Sequence, residues 1–236
     1  DSLVGPDHPS TVMAIHTLAQ ALGNRRKYPE AATLLGRSLQ AFERDMGADH
    51  PFTATMRNNL GVLLLETNEL PRAERIFREE AISRARNFGE KHLSVGDALQ
   101  NLAAALMRQG RAVEAEAQTR KAEAIFRSAL PAGSIRITYP MLTRIEIQLA
   151  AKNYGAARRT AEEVRAMLQG RLPERHPAML VVDCRLGRAH AGLGRAAAAR
   201  AILDSVLARM KGAEGLREAH RQECEEARAA LGEDEG

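Results

Sequence analysis

Histidine recurs in this chain at positions that invite a reading as chemistry. His8, His50, His92 and His176 occupy one column of a regular spacing, and Ser134 fills the missing copy. Neutral imidazole is a frequent metal ligand, but coordination bonds near 2 Å require the ligands to converge. Histidines on successive units of a helical array stand about two helix diameters of ~10 Å apart, so the column reads as a linker and helix-start element. The carboxylate pairs Glu79-Glu80, Glu162-Glu163 and Glu225-Glu226 suggest acid–base work. Adjacent helical residues diverge by about 100°, however, and do not face one reacting bond; the pairs read as solvated faces. Cys184 and His190 point to different sides of one helix, which removes a nucleophile–base pair. Gly-rich phosphate loops, nucleophile elbows and zinc spacings do not occur in the sequence. It supports no catalytic residue, no cofactor and no metal, and the chain is read as a non-enzyme. Arg185, Arg188 and Arg195 remain, either as a solvated face or as an anchor for acidic residues of a partner.

What positions these residues is a repeat. Ala31, Ala73, Ala115, Ala157 and Ala199 are each 42 positions from the next. The segments Gly5-Pro-Asp-His-Pro, Gly47-Ala-Asp-His-Pro and Gly89-Glu-Lys-His-Leu keep the same register. Such self-similarity marks an array of supersecondary units, each needing its neighbours to bury an apolar face. The 236 residues therefore predict one elongated domain with repeats at 7–48, 49–90, 91–132, 133–174 and 175–216, followed by a capping helix over 217–231. In that last segment Glu218, Arg221, Glu225 and Arg228 are expected to form a charged outer face, as solenoid ends require.

Residues 49–90 show the grammar of one unit. Pro51 after a polar residue signals a helix start, because its missing N–H would have been unpaired there anyway. An apolar run through Leu60 and Leu65 is broken by Thr67-Asn68-Glu69-Leu70-Pro71. A second helix then carries Ala73, Ile76, Phe77 and Ala81 on one stripe and closes near Gly89. The ruler alanine is expected at a tight helix crossing, faced by the small residues at 19, 61, 103 and 187. Repeat four departs from the pattern, with Ile145 and Arg144 in the columns of small residues and leucine.

Composition narrows the function. The core must be built from Ala, Leu, Ile, Val and Met, because aromatic residues are only 3% and Trp is absent. A β-propeller of similar period would need β-branched and aromatic strands; HEAT and armadillo arrays fit the period but not the column pattern. The net charge of +4 is spread along the chain, whereas nucleic acid binding calls for clustered charge and stacking aromatics, so nucleic acid is an improbable partner. No apolar stretch approaches the roughly 20 residues needed to cross a bilayer, and no membrane association is expected. Cys184 and Cys224 are too few for a disulfide framework and predict free thiols in a reducing, cytoplasmic compartment. The start carries no signal-peptide pattern and no initiator Met, and the chain is expected to be a fragment of a longer protein.

Asn58-Asn59-Leu60-Gly61, Arg72-Ala73-Glu74, Phe77 and the Gly-x-Asp-His-Pro linker resemble the long tetratricopeptide repeats of kinesin light chains and their bacterial relatives. Asn101-Leu102-Ala103, Gln109-Gly110-Arg111 and Glu114-Ala115-Glu116 repeat the match, while repeat four and the stretch from Leu216 match poorly. The resemblance implies an all-α, right-handed superhelical solenoid of antiparallel helix pairs whose first helices line a concave groove that receives an extended peptide or partner protein. Carried over by column, that groove includes His16, Thr17, Gln20, Asn24, Asn58, Asn59, Glu66, Asp97, Gln100, Asn101 and Arg108, then Tyr139, Thr143, Glu146, Cys184, Arg185 and Arg188. Partner binding is expected at Asn58, Asn59, Gln100, Asn101, Arg108, Arg185 and Arg188. Amides offer a donor and an acceptor, so they can pair with a foreign backbone without dictating its side chains. The cationic clamp some family members use on a terminal carboxylate is not reproduced, since Asp97 and Asn101 stand where its cations would be. A second reading is a sensor or regulatory arm of a larger signalling protein with flanking domains.

Overall fold

The computed structural model describes residues 17, 27–48, 50–213 and 215–232. His8, His16, Gln20, Asn24, Asp49 and the expected first helix of repeat one lie outside them. Ten α-helices and no strand occur among the described residues. They are α1 (Tyr28–Met46), α2 (Pro51–Glu66), α3 (Leu70–Phe88), α4 (Leu93–Arg108), α5 (Ala112–Ala129), α6 (Thr138–Ala150), α7 (Tyr154–Leu168), α8 (Pro177–Gly192), α9 (Ala196–Met210) and α10 (Glu218–Ala229). A 3₁₀ turn at Ile135–Ile137 leads into α6. The chain forms two compact units, Asp1–Ala129 and Leu130–Gly236. In the first, α2 pairs with α3 and α4 with α5; in the second, α6 pairs with α7 and α8 with α9, and α10 packs on α8 and α9.

Local chemistry explains why each pair turns at the same place. A left-handed backbone recurs every 42 residues, at Asn68 (φ 61°), Gly110 (φ 77°), Lys152 (φ 55°) and Gly194 (φ 71°). The next N–H reaches back five residues each time, from Glu69 to the Leu64 carbonyl (2.8 Å), Arg111 to Leu106 (3.0 Å), Asn153 to Gln148 (2.8 Å) and Arg195 to His190 (3.0 Å). This is the Schellman arrangement that satisfies the last carbonyls of a helix. Lysine is the costly occupant of that conformation, because its Cβ crowds the following carbonyl. At the other end of the repeat, Nδ1 of His92 accepts from the Ser94 N–H (3.3 Å) and Nδ1 of His176 from the Ala178 N–H (3.2 Å). Two histidines of the recurring column thus act as N-caps, satisfying an amide that a helix start leaves unpaired.

All five ruler alanines are 0% exposed. Their partners differ from the sequence expectation, however. A Cβ on Gly61 would overlap the ring of Phe77, and one on Gly187 would lie 2.7 Å from Leu203 Cγ; the small column therefore faces the residue four beyond the ruler alanine. Hairpin geometry is the reason. Gly61 and Phe77 lie at nearly equal distances on either side of the turn at Asn68, and antiparallel helices bring such positions level. Volume is exchanged across this crossing from copy to copy: Gly61 with Phe77, Ala103 with Thr119, Ile145 with Ala161, Gly187 with Leu203. The departure of repeat four is thereby explained, since Ile145 and Ala161 are both fully buried and supply on the first helix the bulk that the other copies place on the second.

Candidate partner-binding surface

In the first unit, the first helices α2 and α4 bring three of the predicted amides together. Asn101 donates from Nδ2 to Asn58 Oδ1 at 2.7 Å, and the Asn58 amide leans toward Asn59 Oδ1 at 3.4 Å. All three are half-buried. Asn58 and Asn101 are one position off the 42-residue spacing, so a side chain on each helix can reach across the seam between neighbouring repeats. Gln100 is half-buried beside them and Arg108 is exposed in the last turn of α4. Each primary amide of the strip offers two N–H groups and two lone pairs.

Buried charge lies close to the amides. Arg57, 5% exposed, donates to Glu43 (Nε–Oε1 3.0 Å) and to the Ala48 carbonyl (2.9 Å). Glu80 is 0% exposed and ion-paired with Arg84, which also donates to the Ser94 carbonyl (3.2 Å). Burial pushes the Glu80 carboxyl up to about 7, with Arg84 and Arg57 opposing the shift and Asp97 adding to it. The expectation that the Glu79-Glu80 pair is a solvated face is corrected at Glu80. Adjacent helical residues diverge, so Glu79 stays in water while Glu80 turns inward. The sequence signal was present in the columns, where the other copies place Ser38, Ala122, Val164 and Val206 opposite Glu80, and Phe42, Phe126, Leu168 and Met210 opposite Arg84. Repeats two and three are further joined by Glu74, which accepts from Arg111 (2.6 Å), Gln109 (2.9 Å) and Arg78 (2.8 Å).

In the second unit the predicted cations are engaged within the chain. Arg185 is 5% exposed, donates to the Leu142 carbonyl (2.9 Å) and is ion-paired with Glu146. Arg188 pairs with Glu223 of α10. Asp183, equally buried, accepts from Arg165 (2.7 Å) and Arg209 (2.8 Å), which ties α7 and α9 onto α8. A cavity of about 340 Å³ opens between α6, α8 and the start of α10, lined by Leu142, Pro177 and Val181 as well as by Thr143, Glu146, Arg185, Arg217 and His220. Burial, followed by the nearby Arg185, holds His220 below the usual imidazole range. Arg221 and Arg228, expected on the outer face of the cap, turn back instead, to the Met210 carbonyl (3.2 Å) and to Asp204 (2.6 Å). Among the described residues no group of three or more His, Cys, Asp or Glu is placed to hold a metal ion. None of the described helices is long and apolar enough to cross a membrane.

The helix pairs, their turns and their small-residue crossings define a tetratricopeptide repeat fold. Residues 10–80 match the tetratricopeptide repeat family. Among solved structures, the chain is similar to the nearly identical TPR-like repeats of a kinesin light chain described as putative from Podosopora anserina, at 21% identity and a TM-score of 0.76, covering 88% of this chain and 99% of that one. It is also similar to BtubC (BKLC) from P. vanneervenii, at 16% identity and a TM-score of 0.73, with 88% and 83% covered. A Rap protein complexed with Competence and Sporulation Factor shares the fold more distantly, at 12% identity and a TM-score of 0.60, with 94% and 63% covered. No curated protein matches the chain in sequence.

Proposed function

We propose that the chain is a non-enzymatic interaction module that holds an extended peptide segment of a partner protein against the amide strip of its first unit. The tetratricopeptide fold is generally used for protein–protein interaction, and the observation that carries the finer reading is the 2.7 Å bond from Asn101 to Asn58. It orders two amides before any partner arrives, so little side-chain entropy remains to be lost on binding. Asn59, Gln100 and Asn101 then supply donors and acceptors to a main chain, and Arg108 meets an acidic side chain. Arg185 and Arg188 contribute through the groups they already hold, Glu146 and Glu223, which makes the second unit the less available surface for an acidic partner.

Affinity capture with the whole chain, followed by calorimetry with peptides from the captured partner, tests this. Two lost hydrogen bonds at about 0.5–1.5 kcal/mol each predict that Asn59→Ala with Asn101→Ala weakens binding roughly 5-fold to 150-fold. Water replaces the lost contact at half-exposed Asn58, so the melting temperature falls only slightly. Unchanged affinity in that double variant would place binding elsewhere and favour the regulatory-arm reading.

A further inference from the structure

Cys184 and Cys224 are the chain's two cysteines, and the fold brings them to one place. Cys184 lies midway along α8 at 2% exposure; Cys224, at 0%, is the buried residue that α10 contributes to the core. Both belong to one apolar cluster with Leu180, Leu203, Val206 and Met210. α10 stands in the register of the first helix of a sixth repeat, since Cys224 continues the inward column of Met56, Ala98, Pro140 and Val182. The corresponding seams inside the two units carry Asn58 with Ala98 and Leu142 with Val182. Two sulfurs meet only at the seam where the helix pairs give way to the capping helix.

We propose that Cys184 and Cys224 are a reversible dithiol–disulfide site that fastens the capping helix to the last helix pair when the chain meets a small-molecule disulfide. Apart from Cys224, Ala227 and the flanking Leu216 and Leu231, which pack on the cluster, α10 is held at its rim by polar contacts: Glu223 with Arg188, Arg228 with Asp204, Arg221 with the Met210 carbonyl, and Arg200 with the Leu231 carbonyl (3.0 Å). Rim ion pairs contribute little, so α10 opens locally at far lower cost than the unit unfolds and admits the oxidant. Cys224 rides on α10, the helix that opens, whereas Cys184 lies midway along α8, so Cys224 is the sulfur the oxidant reaches first and the attacking one. Its thiolate displaces one thiolate from the external disulfide and forms a mixed disulfide. Cys184 then gives its proton to that released thiolate and attacks the Cys224 sulfur, expelling the second small thiolate, which takes the proton Cys224 lost to solvent. The pair is oxidised by two electrons and the disulfide is reduced to two thiols.

The whole reduced chain is incubated with glutathione disulfide, unfolded in excess alkylating agent and weighed intact. The expected product is two hydrogens lighter than the reduced chain, takes up no alkyl group and retains no glutathione. Cys184→Ser removes the resolving sulfur and is expected to accumulate one glutathione on Cys224; Cys184→Ala serves the same purpose if a hydroxyl disturbs the cluster. Amide exchange across α10 is expected to slow about tenfold or more in the oxidised chain. Full alkylation at both cysteines, under conditions that oxidise an unstructured dithiol peptide, would overturn the proposal. So would glutathione retained on both sulfurs, or exchange in α10 unchanged by oxidation. None of these outcomes depends on where a partner binds.

Discussion

Replacing Gly61 with alanine adds one methyl at the point where α2 has no room for it. The new Cβ would sit within the van der Waals envelope of the Phe77 ring, which is itself 0% exposed and cannot swing into solvent. Overpacking of this kind costs about 1–3 kcal/mol, despite the helix propensity that alanine gains over glycine. At roughly 2–4 °C per kcal/mol for a chain of this size, the melting temperature should fall by about 2–12 °C. Phe77→Thr alone leaves a cavity and costs about 3 kcal/mol or more. Together the two changes recreate the Ala103 and Thr119 pairing of the next repeat, so the double variant should be about 1 kcal/mol or more less damaged than the sum. Gly36→Ala is the control: nothing lies within 4 Å of the added Cβ, and the helix should gain about 0.5–1 kcal/mol. Urea unfolding followed by circular dichroism reads all four. A neutral Gly61→Ala, or a cycle that adds within about 0.5 kcal/mol, would refute the exchange of volume across the crossing.

Glu80 should make stability depend on pH. Its folded-state pKa of about 7 lies above the ordinary 4.5, so the folded chain keeps a proton that the unfolded chain releases. Stability is then greatest below about pH 4.5, falls as pH rises to about 7, and levels off beyond; the whole effect is at most about 3 kcal/mol. Glu80→Gln should flatten that slope in denaturation curves taken between pH 5 and 8, and an identical slope in both proteins would remove Glu80 as its source. Lys152→Gly should raise stability by about 0.5–1 kcal/mol, because the turn at φ 55° suits glycine; a fall would mean that the Lys152 side chain contributes more than the backbone strain it causes. Ala115→Glu should cost about 3 kcal/mol or more by burying an unpaired charge at a fully packed position, and a melt matching that of Ala115→Ser would show that the position is not packed.

The repeat grammar is legible because it rests on chemistry that repeats. Five alanines answer a packing requirement, the turn residues at 68, 110 and 194 and the prolines at helix starts a local backbone one, and a spacing of 42 reveals them without knowledge of any contact. Glu80 and Arg185 show the limit in opposite ways. Beside Glu79, Glu80 reads as half of a solvated carboxylate pair, and only comparison down its column, where the other copies are small or apolar, marks it as buried. Arg185 reads as a cation available to a partner, but its guanidinium is met by Glu146 and the Leu142 carbonyl, 39 and 43 positions away in sequence. Contacts of that reach follow from how neighbouring helix pairs dock, which no local pattern encodes. The amide strip falls between these cases: the column places Asn58 and Asn101 on one face, while their mutual hydrogen bond requires the docked helices.

The charged residues inside repeat two have a consequence for how an array of look-alike units finds its order. Units built on one pattern can dock with the wrong neighbour during folding, and a purely apolar seam would tolerate the error. Arg57 needs Glu43 and the Ala48 carbonyl from the preceding unit, and Arg84 needs the Ser94 carbonyl from the following one. A misplaced neighbour would leave the buried guanidinium of Arg57 stranded, which is far more costly than a loose methyl. Glu43, Arg57, Glu80 and Arg84 thus act as an address, by which one repeat among several recognises the two that belong beside it.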